Sequence, residues 1–75
     1  MIRLKVKEVA KRKGVSQGKL ARRADIDIKT LQRIYRRPTQ VVVTTDTLDK
    51  LSMALQVDVR ELLETVWPEN ELSDE

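Results

Sequence analysis

The chain has 75 residues, no cysteine and no histidine, and a formal net charge of +3 at pH 7. This length supports one small domain whose single core is only marginally sufficient, so dimerisation would help to stabilise it. The composition excludes disulfides, Cys/His zinc sites and catalysis by histidine or cysteine. Because no apolar run has membrane length and residues 1–7 lack a signal-peptide core, we expect a cytoplasmic protein with no membrane partner.

The charge is distributed unevenly along the chain. Residues 1–40 carry 13 Lys and Arg against three acids, a net +10, whereas residues 41–75 carry two Lys and Arg against nine acids, a net −7. A generically solvated surface would mix the two signs throughout. The asymmetry instead predicts a cationic half that faces a polyanion and an acidic half that faces away from it.

The N-terminal residues change from one periodicity to another. Residues 2–6 alternate apolar and basic side chains, which is typical of a strand, and from Val6 onward the apolar residues follow helical spacing. A short edge strand over residues 2–6 would have the valines at 41–43 as its only plausible partner, and the sequence leaves that pairing open. Gly14 is expected to end the first helix as a left-handed cap.

Residues 16–37, SQGKLARRADIDIKTLQRIYRR, predict two short helices joined by a tight turn. Ser16 is an N-cap residue for the first helix of this pair, and Asp27 is an N-cap residue for the second. The Asp27 carboxylate also meets the positive end of the helix dipole. In the second helix, Leu31 and Ile34 share an apolar face. The opposite face is basic and amide, and it carries Lys29, Gln32, Arg33 and Arg36.

That outer face suits the major groove of DNA. Arginine and lysine side chains can read guanine there, and glutamine can read adenine. A solvated amphipathic helix has the same pattern, so the helix alone does not separate the two interpretations. Pro38 is expected to end the helix at about Arg37, and the basic exit loop that follows is placed to meet phosphates.

Two further helices are expected in the acidic half. The hydroxyls and carboxylate of residues 44–46 offer N-caps for a helix whose apolar face continues to Leu55. Asp58 and Glu61 have capping-box spacing, which predicts a short fifth helix from Val59 to about Val66, ended by Pro68. The final residues, 69–75, are acidic and polar, and they are expected to form a disordered tail after a single domain over residues 1–68.

The predicted helices define a core and leave some apolar residues over. The expected core is Val6, Val9, Ala10, Val15, Leu20, Ala21, Ala24, Ile26, Leu31, Ile34, Leu48, Leu51, Ala54, Leu55, Val57, Leu62 and Leu63. The apolar residues outside that core, which are candidates for a dimer interface, are Met53, Val59, Val66 and Trp67. For Trp67 the sequence leaves two interpretations open, since its ring either folds back over the core or lies between two subunits.

The two-helix motif resembles that of the Xre family, the Cro/cI-type helix-turn-helix repressors. The family keeps its motif at positions that correspond here to Gln17, Leu20, Ala21, Ile26, Leu31 and Ile34. The resemblance covers roughly residues 6–63, and the segment 62–69, LLETVWPE, is similar to the ending of small stand-alone regulators of this type. Two positions where the family commonly has glycine depart from the pattern, because they are Asp25 and Gln56.

The resemblance implies an all-α, compact five-helix domain of the lambda-repressor type, to which an N-terminal edge strand could be added. It also implies a sequence-specific regulator of transcription whose recognition helix, over about residues 28–36, lies in the major groove. The matching base-facing positions are Asp27, Ile28, Lys29, Gln32 and Arg33. The matching phosphate-facing positions are Gln17, Lys19, Arg36, Arg37, Thr39 and Gln40. Ile28 is too apolar for hydrogen-bond readout, but it can touch a thymine methyl group.

The expected partners are double-stranded DNA and a second copy of the chain, without cofactor or metal. The alternative is a protein-interaction module on the same fold, such as an antitoxin or adaptor, that docks its partner through the acidic C-terminal half. An enzyme has no support, because the sequence contains no phosphate-binding loop, metal-ligand cluster or nucleophile–base pair.

Overall fold

The computed structural model describes residues 1–67 of the chain. In chain order the elements are strand β1 (Ile2–Leu4), helices α1 (Val6–Arg12), α2 (Gln17–Ala24), α3 (Ile28–Arg36) and α4 (Thr45–Leu55), a 3-10 helix (Val59–Leu62) and strand β2 (Leu63–Thr65). The predicted tail over residues 69–75, and the predicted domain end at residue 68, lie outside the described residues.

Side chains begin the helices at the predicted positions. The Ser16 hydroxyl accepts a hydrogen bond from the backbone N–H of Lys19 at 3.3 Å, and α2 begins at the next residue. The Asp27 carboxylate accepts one from the backbone N–H of Lys29 at 2.8 Å ahead of α3. Thr44 caps α4 in the same way. Each cap satisfies a backbone donor that the first turn of a helix leaves without a partner, so the predicted starts are confirmed.

Three helices end in the same hydrogen-bonded turn. Gly14, Asp25 and Gln56 follow α1, α2 and α4 and have φ angles of 70°, 55° and 56°. The backbone N–H of each of them donates to the carbonyl of the residue three positions earlier. The N–H of the residue that follows donates to the carbonyl five positions before itself. This is the Schellman motif, and the residue after each turn is a half-buried valine or isoleucine that packs against the core.

The helices and β1 together bury one apolar core. Its members are Leu4, Val6, Val9, Ala10, Leu20, Ala21, Ala24, Leu31, Ile34, Leu51, Leu55 and Leu62. Except for Leu4, all of these residues belong to the predicted core. The other predicted core residues are half-buried around it, as are Tyr35, Val41 and Val43. The amphipathic spacing of the helices therefore identified the buried faces correctly.

Strand β1 exists, but its partner differs from the one considered in the sequence. It pairs antiparallel with β2, so that Leu4 lies opposite Leu63, and the pairing with residues 41–43, which the sequence left open, does not form. The loop after α3 does reach β1, because the Leu4 N–H donates to the Pro38 carbonyl at 2.9 Å. Val42 in this loop is 94% exposed, so the valine run does not continue along the strand.

The predicted fifth helix, from Val59 to Val66, is also wrong. Only its first turn forms, as the 3-10 helix, and the chain then becomes β2. The reason is that the N-terminal strand satisfies the backbone of this segment, since Val66 and Met1 exchange two hydrogen bonds of 2.7 and 2.8 Å. The described chain is therefore mostly helical, with four α-helices and a two-stranded sheet in place of an all-α bundle of five helices.

The capping box predicted for Asp58 and Glu61 forms only in part. Asp58 does cap the 3-10 helix, because its carboxylate accepts a hydrogen bond from the backbone N–H of Arg60 at 2.9 Å. This bond, and then the Arg60 side chain, lower the pKa of Asp58. Glu61, however, pairs with Arg12 at the end of α1 at 3.0 Å and so connects two elements that are distant in sequence.

Arg3 connects three elements at the N-terminal side of the domain. Its guanidinium donates to the carboxylate of Glu64 on β2 and to that of Glu8 on α1. Because Arg3 lies opposite Glu64 in the strand register, this pair supports the sheet across its exposed face. The two strands are short, and such side-chain contacts help them to persist beside the helices.

Candidate nucleic-acid interface

Helix α3 has one buried face and one open face. Leu31 and Ile34 are 0% and 1% exposed and fix the helix on the core. Tyr35 is half-buried at the margin, where burial, and then the charge of Glu8, raise the pKa of its hydroxyl. The opposite face is exposed, and it carries Lys29, Gln32, Arg33 and Arg36. Packing thus directs the long polar side chains of α3 away from the domain.

Six long side chains from α3 and its exit loop form one continuous surface. They line a shallow, open depression of about 480 Å³ along α3 and its exit loop, and they are Lys29, Gln32, Arg33, Arg36, Arg37 and Gln40. We call these residues the α3 surface. It brings together three of the predicted base contacts and three of the predicted phosphate contacts. With four cations and two amides, it offers donors for phosphates and for the acceptor edges of bases.

The remaining predicted contacts lie outside the α3 surface. Thr39 is exposed in the exit turn, although it does not line the depression. On α2, Gln17 is half-buried at the first helical position, and Lys19 is exposed two residues later. At the start of α3, Ile28 is 38% exposed. Gln17 and Lys19 thus lie at the start of α2, Ile28 lies at the start of α3, and Thr39 follows the end of α3.

Asp27 has a structural task in addition to its predicted place among the base contacts. One carboxylate oxygen is occupied by the cap that begins α3. The other oxygen has no hydrogen-bond partner among residues 1–67, so it is available to an amino group. A carboxylate can accept from the exocyclic amino group of cytosine, and the cap holds this one at the end of α3 that is expected to enter the groove.

Arg22 is a candidate contact that the sequence interpretation missed. It lines a second depression, between α2 and α3, together with Ile28. A Cβ atom added at Gly18 would lie 3.6 Å from the Arg22 guanidinium, so this side chain extends back along α2 toward Gly18. The signal was available in the sequence, because a glycine four residues before an arginine on a helix leaves room for the arginine to lie along it.

The cations of α2 and α3 have no carboxylate partner within the described part of the chain. The ion pairs of residues 1–67 are Arg3–Glu8, Arg3–Glu64, Arg12–Glu61, Lys50–Asp46 and Arg60–Asp58. All of them lie on other elements. The positive charge of the two motif helices is therefore not cancelled by neighbouring acids, and it remains available to attract an anion.

The four candidates for a dimer interface are all exposed. Met53 and Trp67 are 71% and 65% exposed, and Val59 and Val66 are 37% and 36% exposed. Trp67 therefore does not fold back over the core, which was one of the two interpretations of the sequence. Its ring presents a large apolar surface to solvent beside the end of β2.

Two short helices that meet through the three-residue turn 25–27, with cations on the open face of the second, define a helix-turn-helix DNA-binding domain. The family model for the Cro/C1-type HTH DNA-binding domain matches residues 5–68, and the chain belongs to this family. The resemblance inferred from the motif is thus confirmed. Comparisons with curated proteins and with solved structures find no significant match.

Within 1–67, no three or more acidic side chains are grouped so that they could hold a metal ion. None of the helices in this part of the chain has the length and hydropathy needed to cross a membrane.

Proposed function

We propose that this protein is a sequence-specific regulator of transcription that places α3 in the major groove of double-stranded DNA. The α3 surface carries the proposal, because it unites cations and amides on the open face of a helix whose other face is fixed in the core. An α-helix fits the major groove, where the pattern of donors and acceptors differs for every base pair.

The positions of these side chains along α3 suggest a division of labour. Lys29 and Arg33 are one turn apart on the open face, and we assign them to base edges. Arg36 and Arg37 are at the C-terminal end, where a helix that enters the groove by its N-terminus meets the sugar-phosphate backbone. Gln32 lies between the two groups and can serve a base, while Thr39 and Gln40 in the exit loop are assigned to phosphates.

Contacts from α2 would fix the orientation of α3. Gln17 and Lys19 are in the first turn of α2, where backbone N–H groups and the helix dipole favour a phosphate. Arg22 is placed to add a further phosphate contact, since its guanidinium extends along the same helix. Such contacts position a protein on the duplex without reading its sequence.

We further propose that the working unit is a homodimer on an inverted repeat. One recognition helix reads only a few base pairs, so two are needed for a site of useful specificity. The exposed apolar residues Met53, Val59, Val66 and Trp67 are a surface that a second subunit would cover. The centres of the two half-sites are then expected about 34 Å apart, which is one turn of the duplex.

The test is selection of bound duplexes from a random pool by the full chain. A sequence-specific regulator enriches one motif, and a dimer enriches it as an inverted repeat with the expected spacing. A parallel selection with Arg33→Ala controls for bias in the pool, because it should relax one position of the motif. A pool that stays random after repeated rounds would contradict sequence-specific binding.

A further inference from the structure

Two consecutive residues at the start of α3 offer different chemistry to a ligand. Asp27 is exposed, and one of its carboxylate oxygens is held by the hydrogen bond from the Lys29 N–H at 2.8 Å. The other oxygen has no hydrogen-bond partner among residues 1–67. Ile28 is the first residue of the helix and is 38% exposed. A hydrogen-bond acceptor of fixed position is therefore followed directly by an accessible apolar side chain.

The charge of Asp27 is more than the cap of α3 requires. Ser16 and Thr44 cap α2 and α4 with a hydroxyl group, which carries no charge. The Asp27 carboxylate performs the same task with one oxygen and retains a second acceptor. At a helix end that is expected to meet DNA, a negative charge is unfavourable unless a donor on the duplex pairs with it. The free oxygen therefore calls for an amino group on a base.

Ile28 borders a space that can receive a small apolar group. It lines the depression of about 470 Å³ between α2 and α3. Gly18 and Ala21, which also line this depression, contribute little side-chain volume. A Cβ atom added at Gly18 would meet only the guanidinium of Arg22, at 3.6 Å, so the depression is open on this side. A methyl group that projects from a base has room to contact Ile28 here.

The edges of the bases in the major groove decide which base suits both residues. Cytosine presents the N–H of its amino group, which a carboxylate can accept, but it has no methyl group. Thymine presents a methyl group for Ile28, but its neighbouring oxygen is an acceptor and repels the Asp27 carboxylate. A cytosine that carries a methyl group on C5 presents the donor and the methyl group side by side.

We propose that the start of α3 reads 5-methylcytosine, with Asp27 on the amino group and Ile28 on the methyl group. This inference rests on the proposed function, because it requires α3 in the major groove, and it names the base that the first positions of the helix select. The protein then binds the methylated form of its site and discriminates against an unmethylated copy of the same sequence.

Other methylated bases do not suit this pair of residues. In N4-methylcytosine and N6-methyladenine the methyl group is on the amino nitrogen itself. The one N–H that remains there is used to pair with the opposite base, so neither base keeps a donor for Asp27 in the major groove. Methylation at C5 of cytosine leaves the amino group intact and adds the apolar contact.

The experiment begins with selection by the full chain from two random pools, one prepared with cytosine and one with 5-methylcytosine. Each cytosine of the selected site is then replaced in turn by 5-methylcytosine, thymine or uracil, with the matching base opposite. These four bases separate the effect of the methyl group from that of the amino group. At one position we expect 5-methylcytosine to bind most tightly, and cytosine about fourfold more weakly through loss of one buried methyl group. Thymine should bind about five- to 150-fold more weakly.

Two variants test the two contacts separately. Ile28→Ala should reduce the preference for 5-methylcytosine over cytosine to less than about twofold, because the methyl group loses its apolar neighbour. Asp27→Asn keeps an acceptor for the Lys29 N–H but adds an amide donor, so the preference for 5-methylcytosine over thymine should fall at least about fivefold. The matched control is Ile2→Ala, at an isoleucine that is 60% exposed on β1, and it should leave both preferences within about twofold.

The outcomes distinguish this inference from the proposed function. Sequence-specific binding with equal affinity for cytosine and 5-methylcytosine at every cytosine of the site would overturn the inference and leave the proposed function intact. A selected site without cytosine, or an unchanged preference in Ile28→Ala, would also overturn the inference alone. A chain that binds no duplex would overturn the proposed function, and this inference with it.

Discussion

Asp25 and Gln56 share one left-handed backbone conformation, with φ and ψ of 55° and 49° at Asp25 and of 56° and 47° at Gln56. Both residues follow a helix, and both stand where the family commonly has glycine. Both turns therefore have the left-handed conformation that favours glycine, although both residues bear a Cβ atom. The Cβ atom lies close to the following carbonyl oxygen in this conformation, which destabilises it. At Asp25 the consequence is functional, because this turn sets the direction in which α3 leaves α2.

Glycine at these two positions should therefore stabilise the protein. We expect Gln56→Gly to raise the free energy of unfolding by about 0.5–1 kcal/mol, and Asp25→Gly by less, because aspartate tolerates the left-handed region better than glutamine does. The gain is partly offset by the greater freedom of glycine in the unfolded chain. Urea denaturation at one fixed protein concentration measures both changes. A loss of stability in both variants would show that the side chains contribute more than the backbone strain costs.

The two glycines of the chain should respond to alanine with opposite signs. Gly14 has a φ of 70°, and a Cβ atom there would meet nothing within 4 Å, so Gly14→Ala isolates the backbone cost and should destabilise the fold by about 1 kcal/mol. Gly18 is within α2, and its added Cβ would meet only the end of Arg22 at 3.6 Å. Gly18→Ala should stabilise the fold by about 0.5–1 kcal/mol. Denaturation curves of the pair decide this, and equal signs would contradict it.

Local signals predicted the motif helices because local interactions decide them. Ser16 and Asp27 cap α2 and α3 through backbone groups within three residues, and Leu31 and Ile34 bury the face that their spacing indicates. These contacts depend on neighbours along the chain, so a single sequence is sufficient to recognise them. The same holds for most of the α3 surface, whose members follow from helical periodicity.

The sheet could not be predicted in the same way, because its cause is non-local. Residues 63–65 follow a 3-10 turn and become a strand only because residues 2–4 lie beside them. Two leucines in sequence fit a buried helix or a strand equally well, and the apparent capping box at Asp58 favoured the helix. Leu4 was left out of the predicted core for the same reason, since only the pairing with β2 turns it inward.

The cap on α3 can be separated from its charge by two substitutions at Asp27. Asp27→Ala removes the acceptor of the Lys29 N–H and should cost about 1 kcal/mol of stability, whereas Asp27→Asn retains an acceptor and should cost little. Both variants remove a negative charge near the expected phosphates, so both should bind random duplex DNA more tightly. Denaturation and DNA titration of the two variants test this, and equal losses of stability would mean that the cap contributes through its charge alone.

Salt should act in opposite directions on DNA binding and on dimerisation. The cations of α2 and α3 release counterions from DNA, so we expect a slope of log K against log salt of roughly −3 to −8. The dimer brings two acidic halves together, each with a net charge of −7 over residues 41–75, and screening should strengthen it. Titrations of labelled duplex and sedimentation across one salt series give both slopes. A flat response of DNA binding would contradict a role for these cations at phosphates.

The last prediction separates base contacts from phosphate contacts on α3. Arg33 is on the open face within the helix, whereas Arg37 follows its end, so a helix that enters the groove by its N-terminus directs them to different parts of the duplex. Arg33→Ala should cost about 1–3 kcal/mol on the selected site and little on random DNA. Arg37→Ala should weaken both and reduce the magnitude of the salt slope by about one. Lys50→Ala, which removes a charge outside the α3 surface, is the control and should leave both affinities nearly unchanged. If Arg33→Ala weakens the two duplexes equally, Arg33 is a phosphate ligand and α3 lies in the groove differently from the arrangement proposed.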